Sequence, residues 1–183
     1  MKRLIVPAAL LLLSACVTHV EPTAKTNPPP AEPLAHFAHF ELLPLQASAD
    51  AKAETEALAK IDTNLRTKIP ALTKGWEQID PNGRKLLIEP TVDQLKFVDG
   101  GTRFFAGAFA GSSAVVMKLK LIDAATHQVI AQPEFYQRAA AMGGAWSIGG
   151  TDTGMLERIT EIAKDYLTRN YSQAVGGPTG AEE

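Results

Sequence analysis

Three sets of residues in this 183-residue chain have types and spacings that can do chemistry. Ser147 stands in Ala145-Trp146-Ser147-Ile148-Gly149, the outline of a relaxed nucleophile elbow, in which a serine is held on a sharp turn between strand and helix. An α/β-hydrolase needs its histidine after that serine. All four histidines here, His19, His36, His39 and His127, precede Ser147, so that triad cannot be assembled. A different triad order has no adjacent pattern to support it. His36 and His39 form an HxxH pair of metal-ligand type. On a strand, however, they would point to opposite faces, and no HExxH or cysteine partner accompanies them. They read as ordinary histidines at a strand start, so no catalytic residue, metal site or cofactor is expected. The third candidate is Cys16, the single cysteine of the chain.

Cys16 follows Lys2-Arg3 and an uncharged run from Leu4 to Leu13. Ten apolar residues suit the core of an export signal and fall short of the ~20 needed to span a bilayer. An unpaired thiol is unusual in an exported protein, because oxidising compartments favour even cysteine counts. The sequence Leu13-Ser14-Ala15-Cys16 resembles the lipobox of bacterial lipoproteins. The resemblance implies that the thiol takes a diacylglyceryl group, that residues 1–15 are removed, and that the new amino group is acylated by palmitate or a similar chain. One buried acyl chain holds a protein marginally and two or more hold it stably, at about 0.8 kcal/mol per methylene. Val17 stands where the enterobacterial sorting pattern places an aspartate for inner-membrane retention. That implies the outer membrane, facing the periplasm, with the inner membrane as the alternative.

Removing residues 1–15 takes Lys2 and Arg3 from 18 basic residues and leaves 16 against 20 acidic ones. Such a balance offers no basic face for nucleic acid. With 45% hydrophobic residues the chain can build one domain of ordinary size. Residues 17–33 hold five of the twelve prolines and almost no large apolar side chain. Residues 16–33 therefore read as an extended tether with a reach on the order of 50 Å. Residues 172–183 lack periodic apolar positions and read as a loose tail. The folded domain is expected over 34–171.

Within it, Leu58, Ile61, Leu65, Ile69 and Leu72 recur at spacings of three and four, an amphipathic helix over 50–72 capped by Ser48 or Asp50 and stopped near Pro70. Residues 37–46 read as a buried strand, and 85–98 as a strand broken or bulged at Pro90. In 113–123, Val115, Met117, Leu119 and Leu121 alternate with a face centred on Lys118 and Lys120, a strand with one apolar face. Residues 129–136 return as the second arm of a hairpin. Met155, Ile159, Ile162 and Tyr166 mark a second helix entered through Thr151-Asp152-Thr153. The order strand-helix-strand-strand-strand-helix gives an α+β fold: a mixed four-stranded sheet, its first two strands parallel, with two helices packed on one face.

The lipobox, the proline-rich stretch, residues 100–132, a glycine-rich loop and a final helix together resemble widespread bacterial lipoproteins built on a domain of unknown function. The strand order is more remotely similar to the amino-terminal domain of TolB and to the periplasmic domain of the curli secretion lipoprotein. Fold likeness of this kind implies no activity.

Nine of the fourteen glycines fall between Gly100 and Gly154, which makes the loops there the unusual part of the domain. Gly107 and Gly111 fit GxxxG inside a charge-free run from Phe104 to Met117. Fourteen residues are too few to span, Arg103 and Lys118 bracket them, and a strand claims their second half. Residues 142–154 lead into a helix amino terminus but lack the glycine and lysine spacing of a phosphate loop. Trp146, with Gly143, Gly144, Gly149 and Gly150, is expected to form a partner-facing loop, since an exposed tryptophan is a common interface anchor. The function expected is a lipid-anchored, non-enzymatic envelope lipoprotein that binds a protein partner or assembles in an envelope complex. The alternative is a lipoprotein hydrolase or small-ligand-binding protein using loops 100–111 and 143–154.

Overall fold

A computed structural model describes residues 20, 22–97, 113–139 and 150–181, the side chains of 150–152 excepted. The stretch read as an export signal, Cys16, the loop 100–111, Ser147, Trp146, Gly143, Gly144 and Gly149 lie outside the described residues.

The order of elements is β1 (Thr26–Asn27), β2 (His39–Leu42), β3 (Gln46–Ala47), α1 (Thr55–Thr73), β4 (Lys85–Lys96), β5 (Ala114–Asp123), β6 (Val129–Ala131), β7 (Glu134–Arg138), α2 (Gly150–Arg169) and β8 (Gly177–Pro178). Strands β2 to β7 make one mixed six-stranded sheet with four ranks, because each edge is cut in two. β2 and β3 both run parallel to β4, which is antiparallel to β5, and β6 and β7 both run antiparallel to β5. The α+β class with two helices on one face holds. The four expected ranks are present, made among the described residues by six strands.

The cuts have a chemical cause, since proline has no N–H for a ladder. Pro44 separates β2 from β3, and Pro133 separates β6 from β7. Pro90, by contrast, lies inside an unbroken β4. It falls between the stretch paired with β2 (85–88) and the stretch paired with β3 (91–92), so its missing donor faces the gap opened by Pro44. The bulge expected at Pro90 sits instead between Val92 and Gln94. The first strand is half-buried rather than buried, because it is an edge.

Leu86, Ile88, Val92, Val115, Met117, Leu119 and Leu121 point from the sheet into a core closed by Ile61, Leu65 and Ile69 of α1 and Met155, Ile159, Ala163 and Tyr166 of α2. The two helices also join at their surface, where Lys68 Nζ lies 2.8 Å from Glu161. The other face of the sheet carries the half-buried Lys118, Lys120 and Ile122. α1 starts later than expected: Ser48 Oγ accepts from the Ala51 N–H and caps a short 3-10 turn, Ala51–Ala53, ahead of the helix. Pro70 lies inside its last turn, where it removes one bond at the solvent side, and the helix runs on to Thr73. α2 begins at Gly150, so Thr151, Asp152 and Thr153 stand in its first turn rather than before it.

The largest departure concerns the segments expected to be loose. Residues 22–33 and 172–181 are docked on the domain, where β1 and β8 pair antiparallel. The domain therefore spans more than 34–171. No helix of the described residues is long and apolar enough to cross a membrane.

Candidate functional site

The sheet edge made by β6 and β7 would present unpaired backbone groups, a template for pairing with another chain. The proline-rich segment covers it. The Ala31 N–H donates to the Ile130 carbonyl at 2.8 Å. Asn27 completes a reciprocal pair with the backbone of Glu134: its Nδ2 donates to the Glu134 carbonyl (2.8 Å), and its Oδ1 accepts from the Glu134 N–H (2.7 Å). The Tyr136 N–H donates to the Thr179 carbonyl, whose own N–H donates to the Lys25 carbonyl. An asparagine side chain is thus substituting for a strand's peptide group.

This strap, residues 22–33, is fixed at three further points. At its start, the Thr23 N–H and Oγ1 both donate to Glu134 Oε1, while Lys118 Nζ stands 3.6 Å from the same carboxylate. Midway, the buried Tyr166 hydroxyl donates to the Pro28 carbonyl at 3.0 Å, and burial pushes that phenol up to about 12. At its end, Arg84 forks onto Glu32 (2.8 and 2.7 Å) and onto Asp123 (2.9 and 2.7 Å), with its guanidinium 4.3 Å over the Phe37 ring. The Arg84 hydrogen bonds hold the Glu32 carboxyl down to about 2 and lower that of Asp123. Asp123 also accepts from the Ala125 and Thr126 N–H groups, shaping the turn between β5 and β6.

The carboxyl-terminal segment depends on the fully buried Asn170. Its Nδ2 donates to the Tyr166 and Gly176 carbonyls, and its Oδ1 accepts from the Val175 and Gly176 N–H groups at 2.8 Å. Gly176, at φ +74°, brings the chain so close to the strap that a Cβ there would lie 2.4 Å from the Asn27 carbonyl oxygen.

The two histidines do not converge. His36 sits in a 3-10 turn and pairs with Glu32 at 2.8 Å. His39 sits on β2, with Nδ1 3.0 Å from Glu77 and Nε2 2.6 Å from the Asp80 carbonyl, contacts that raise its proton affinity. Among the described residues, no three histidine, cysteine or carboxylate side chains are grouped to hold a metal. Among the described residues the sheet face away from the helices is open, and it forms a groove of about 300 Å³ lined by Glu89, Thr91, Asp93, Lys118, Lys120 and Gln132. Its charges are matched: Lys118 Nζ lies 2.5 Å from Asp93, and Glu89 faces Lys120 across the ladder. A second recess, of about 480 Å³, lies between the amino-terminal ends of α1 and α2, bounded by Glu54, Lys60, Phe97 and Leu156.

Of the site residues expected from sequence, only Gly150 lies among the described residues, at the start of α2. Asn27, Glu134, Asn170 and Arg84 were not singled out by sequence. A signal was present in Asn27-Pro28 and in Asn170 just past a helix, both positions where an amide side chain takes over backbone bonds.

No family model matches the chain, and no curated protein matches it. Solved structures with a similar fold include PelC from Paraburkholderia phytofirmans, crystallised as a dodecamer (15% identity over 74% of this chain and 91% of that one, TM-score 0.41). They also include a Xanthomonas campestris protein of the DUF330 family (13%, 82% and 91%, TM-score 0.40) and a Caulobacter crescentus protein described as a lipoprotein (14%, 76% and 90%, TM-score 0.36). Likeness at this level assigns the chain neither a family nor an activity.

Proposed function

We propose that this protein is a lipid-anchored bacterial envelope lipoprotein whose periplasmic domain is non-enzymatic and binds a protein partner or joins an envelope complex. The carrying observation is the Leu13-Ser14-Ala15-Cys16 sequence behind Lys2-Arg3 and an uncharged run, with Cys16 the one cysteine of the chain. Lipidation gives that thiol a role that disulfide pairing cannot. Val17 favours the outer membrane over the inner.

The domain's polar chemistry supports a binding or structural role. Among the described residues, every buried side-chain polar atom has a partner, and the buried Asn27, Glu134 and Asn170 are occupied in holding the chain ends. The proposed partner surface is the stretch 143–149 with Trp146, together with Gly150 at the start of α2; residues 150–154, expected as loop, belong to the helix.

Cys16→Ala tests the anchor. The variant is expected to remain unlipidated and to change its membrane fractionation, and an unchanged, lipid-labelled product would refute the reading. Photo-cross-linking from position 146 in cells tests the partner surface: one specific envelope protein is expected, and no product above background would sink it.

A further inference from the structure

The geometry points to a defined membrane-facing side of this domain: once Cys16 carries lipid, the open face of the sheet around Lys118, Lys120 and Gln132 lies next to the bilayer and the α1–α2 layer is turned away. The inference rests on the anchor reading above and adds an orientation to it.

The strap sets that orientation. Read as a free tether, residues 17–33 reach about 50 Å and leave the domain free to tumble. The structure shortens that reach, because the chain is already docked at Thr23, where the N–H and the hydroxyl both bond Glu134. The place of docking also matters. Glu134 is in register with Lys118 on β5, and Lys118 projects from the face opposite Met117 and Leu119, which point into the core. The chain therefore leaves the fold on the open face, beside the β7 edge.

From Cys16 to Pro22 there are six residue steps, which span at most about 20 Å when fully extended. The helices lie on the opposite side of the sheet, and a helix with its side chains is about 10–12 Å across. Their outer surface thus stands roughly one leash-length farther from the lipid than the strap's exit point. Turning the helices toward the bilayer would need the leash fully stretched around the edge, a state of low chain entropy.

Charge plays a small part. Lys118 is paired with Asp93 and Glu134, Lys85 with Glu41, and Lys120 faces Glu89, so the middle of this side, with Lys96 and Arg138 at one end beside Ala114, carries little net field for anionic headgroups. The leash, rather than attraction to acidic lipid, fixes the orientation.

The mature chain has one cysteine, and lipid occupies it, so an introduced cysteine is the single free thiol. Full-length lipoprotein extracted from membranes, carrying Gln132→Cys or Thr67→Cys, is labelled with a donor dye and inserted into preformed phosphatidylcholine vesicles containing a headgroup acceptor. Position 132 lines the open-face groove, and position 67 is exposed on α1. Energy transfer from 132 is expected to exceed that from 67 at least twofold and to change little when a fifth of the lipid is anionic. A 20-residue Gly/Ser insert after Val17 is expected to bring the two signals together. Equal transfer at native length, or more from 67, overturns the orientation while flotation with the vesicles shows the anchor intact. Failure to float, with no lipid on Cys16, overturns the anchor reading and the orientation with it.

Discussion

The two edges of the sheet face the same problem and meet it differently. At the β2–β3 edge the Phe40 N–H is taken by the Glu77 carboxylate, an exposed side chain from the loop just after α1, which also pairs with His39. At the β6–β7 edge the covering chain comes from more than a hundred residues away, and its contacts are buried. An exposed polar contact exchanges readily with water and contributes little, whereas a buried backbone group left without a partner costs about 1–3 kcal/mol. Breaking the first edge should therefore cost little, and breaking the second should unfasten both chain ends.

Asn170→Ala should have the largest effect, since it strips four hydrogen bonds at a fully buried position; a loss of about 4 kcal/mol in urea unfolding is expected, at the upper end for point substitutions. Asn27→Ala leaves the N–H and carbonyl of Glu134 without partners and should cost about 3 kcal/mol, with new proteolytic cleavage near Lys25. Gly176→Ala places a Cβ against the strap at a positive φ and should cost about 2 kcal/mol, read as a lowered thermal midpoint.

Two predictions concern pH. Glu32 has its carboxyl depressed from 4.5 to about 2 by Arg84, so its contribution is complete above pH 4.5 and disappears as pH falls toward 2. In Glu32→Gln the stability profile should flatten across that window. At the other edge the sign reverses. The His39 value is raised above 6.5 by Glu77, so its contribution is full below pH 6.5 and is lost as pH rises through the raised value. Glu77→Gln should thus lower the thermal midpoint slightly at pH 5.5 and scarcely at pH 8.5, the smallest effect of the set.

The same contrast explains what could be read from the sequence. α1, α2 and β5 announce themselves because each buries a periodic apolar face: Ile61, Leu65 and Ile69 at helical spacing, and Val115, Met117, Leu119 and Leu121 at every second position. The strap has no such period. Its hold comes from Asn27, Thr23 and backbone groups flanked by prolines, a composition shared with disordered linkers, so low hydrophobicity reads as looseness. The cuts at Pro44 and Pro133 were visible as prolines, but that they would divide two edges and excuse Pro90 depends on which strands are neighbours. Of the expected site, Cys16 and residues 143–149 lie outside the described residues, and the proposed anchoring role rests on the lipobox-like sequence alone.

The anchor is tested most directly by the mass of the amino-terminal peptide of the protein extracted from its native membrane. The account predicts a peptide that begins at Cys16 and carries a diacylglyceryl thioether with an acylated amino group. A free thiol at position 16, or a mature chain beginning elsewhere, would contradict it.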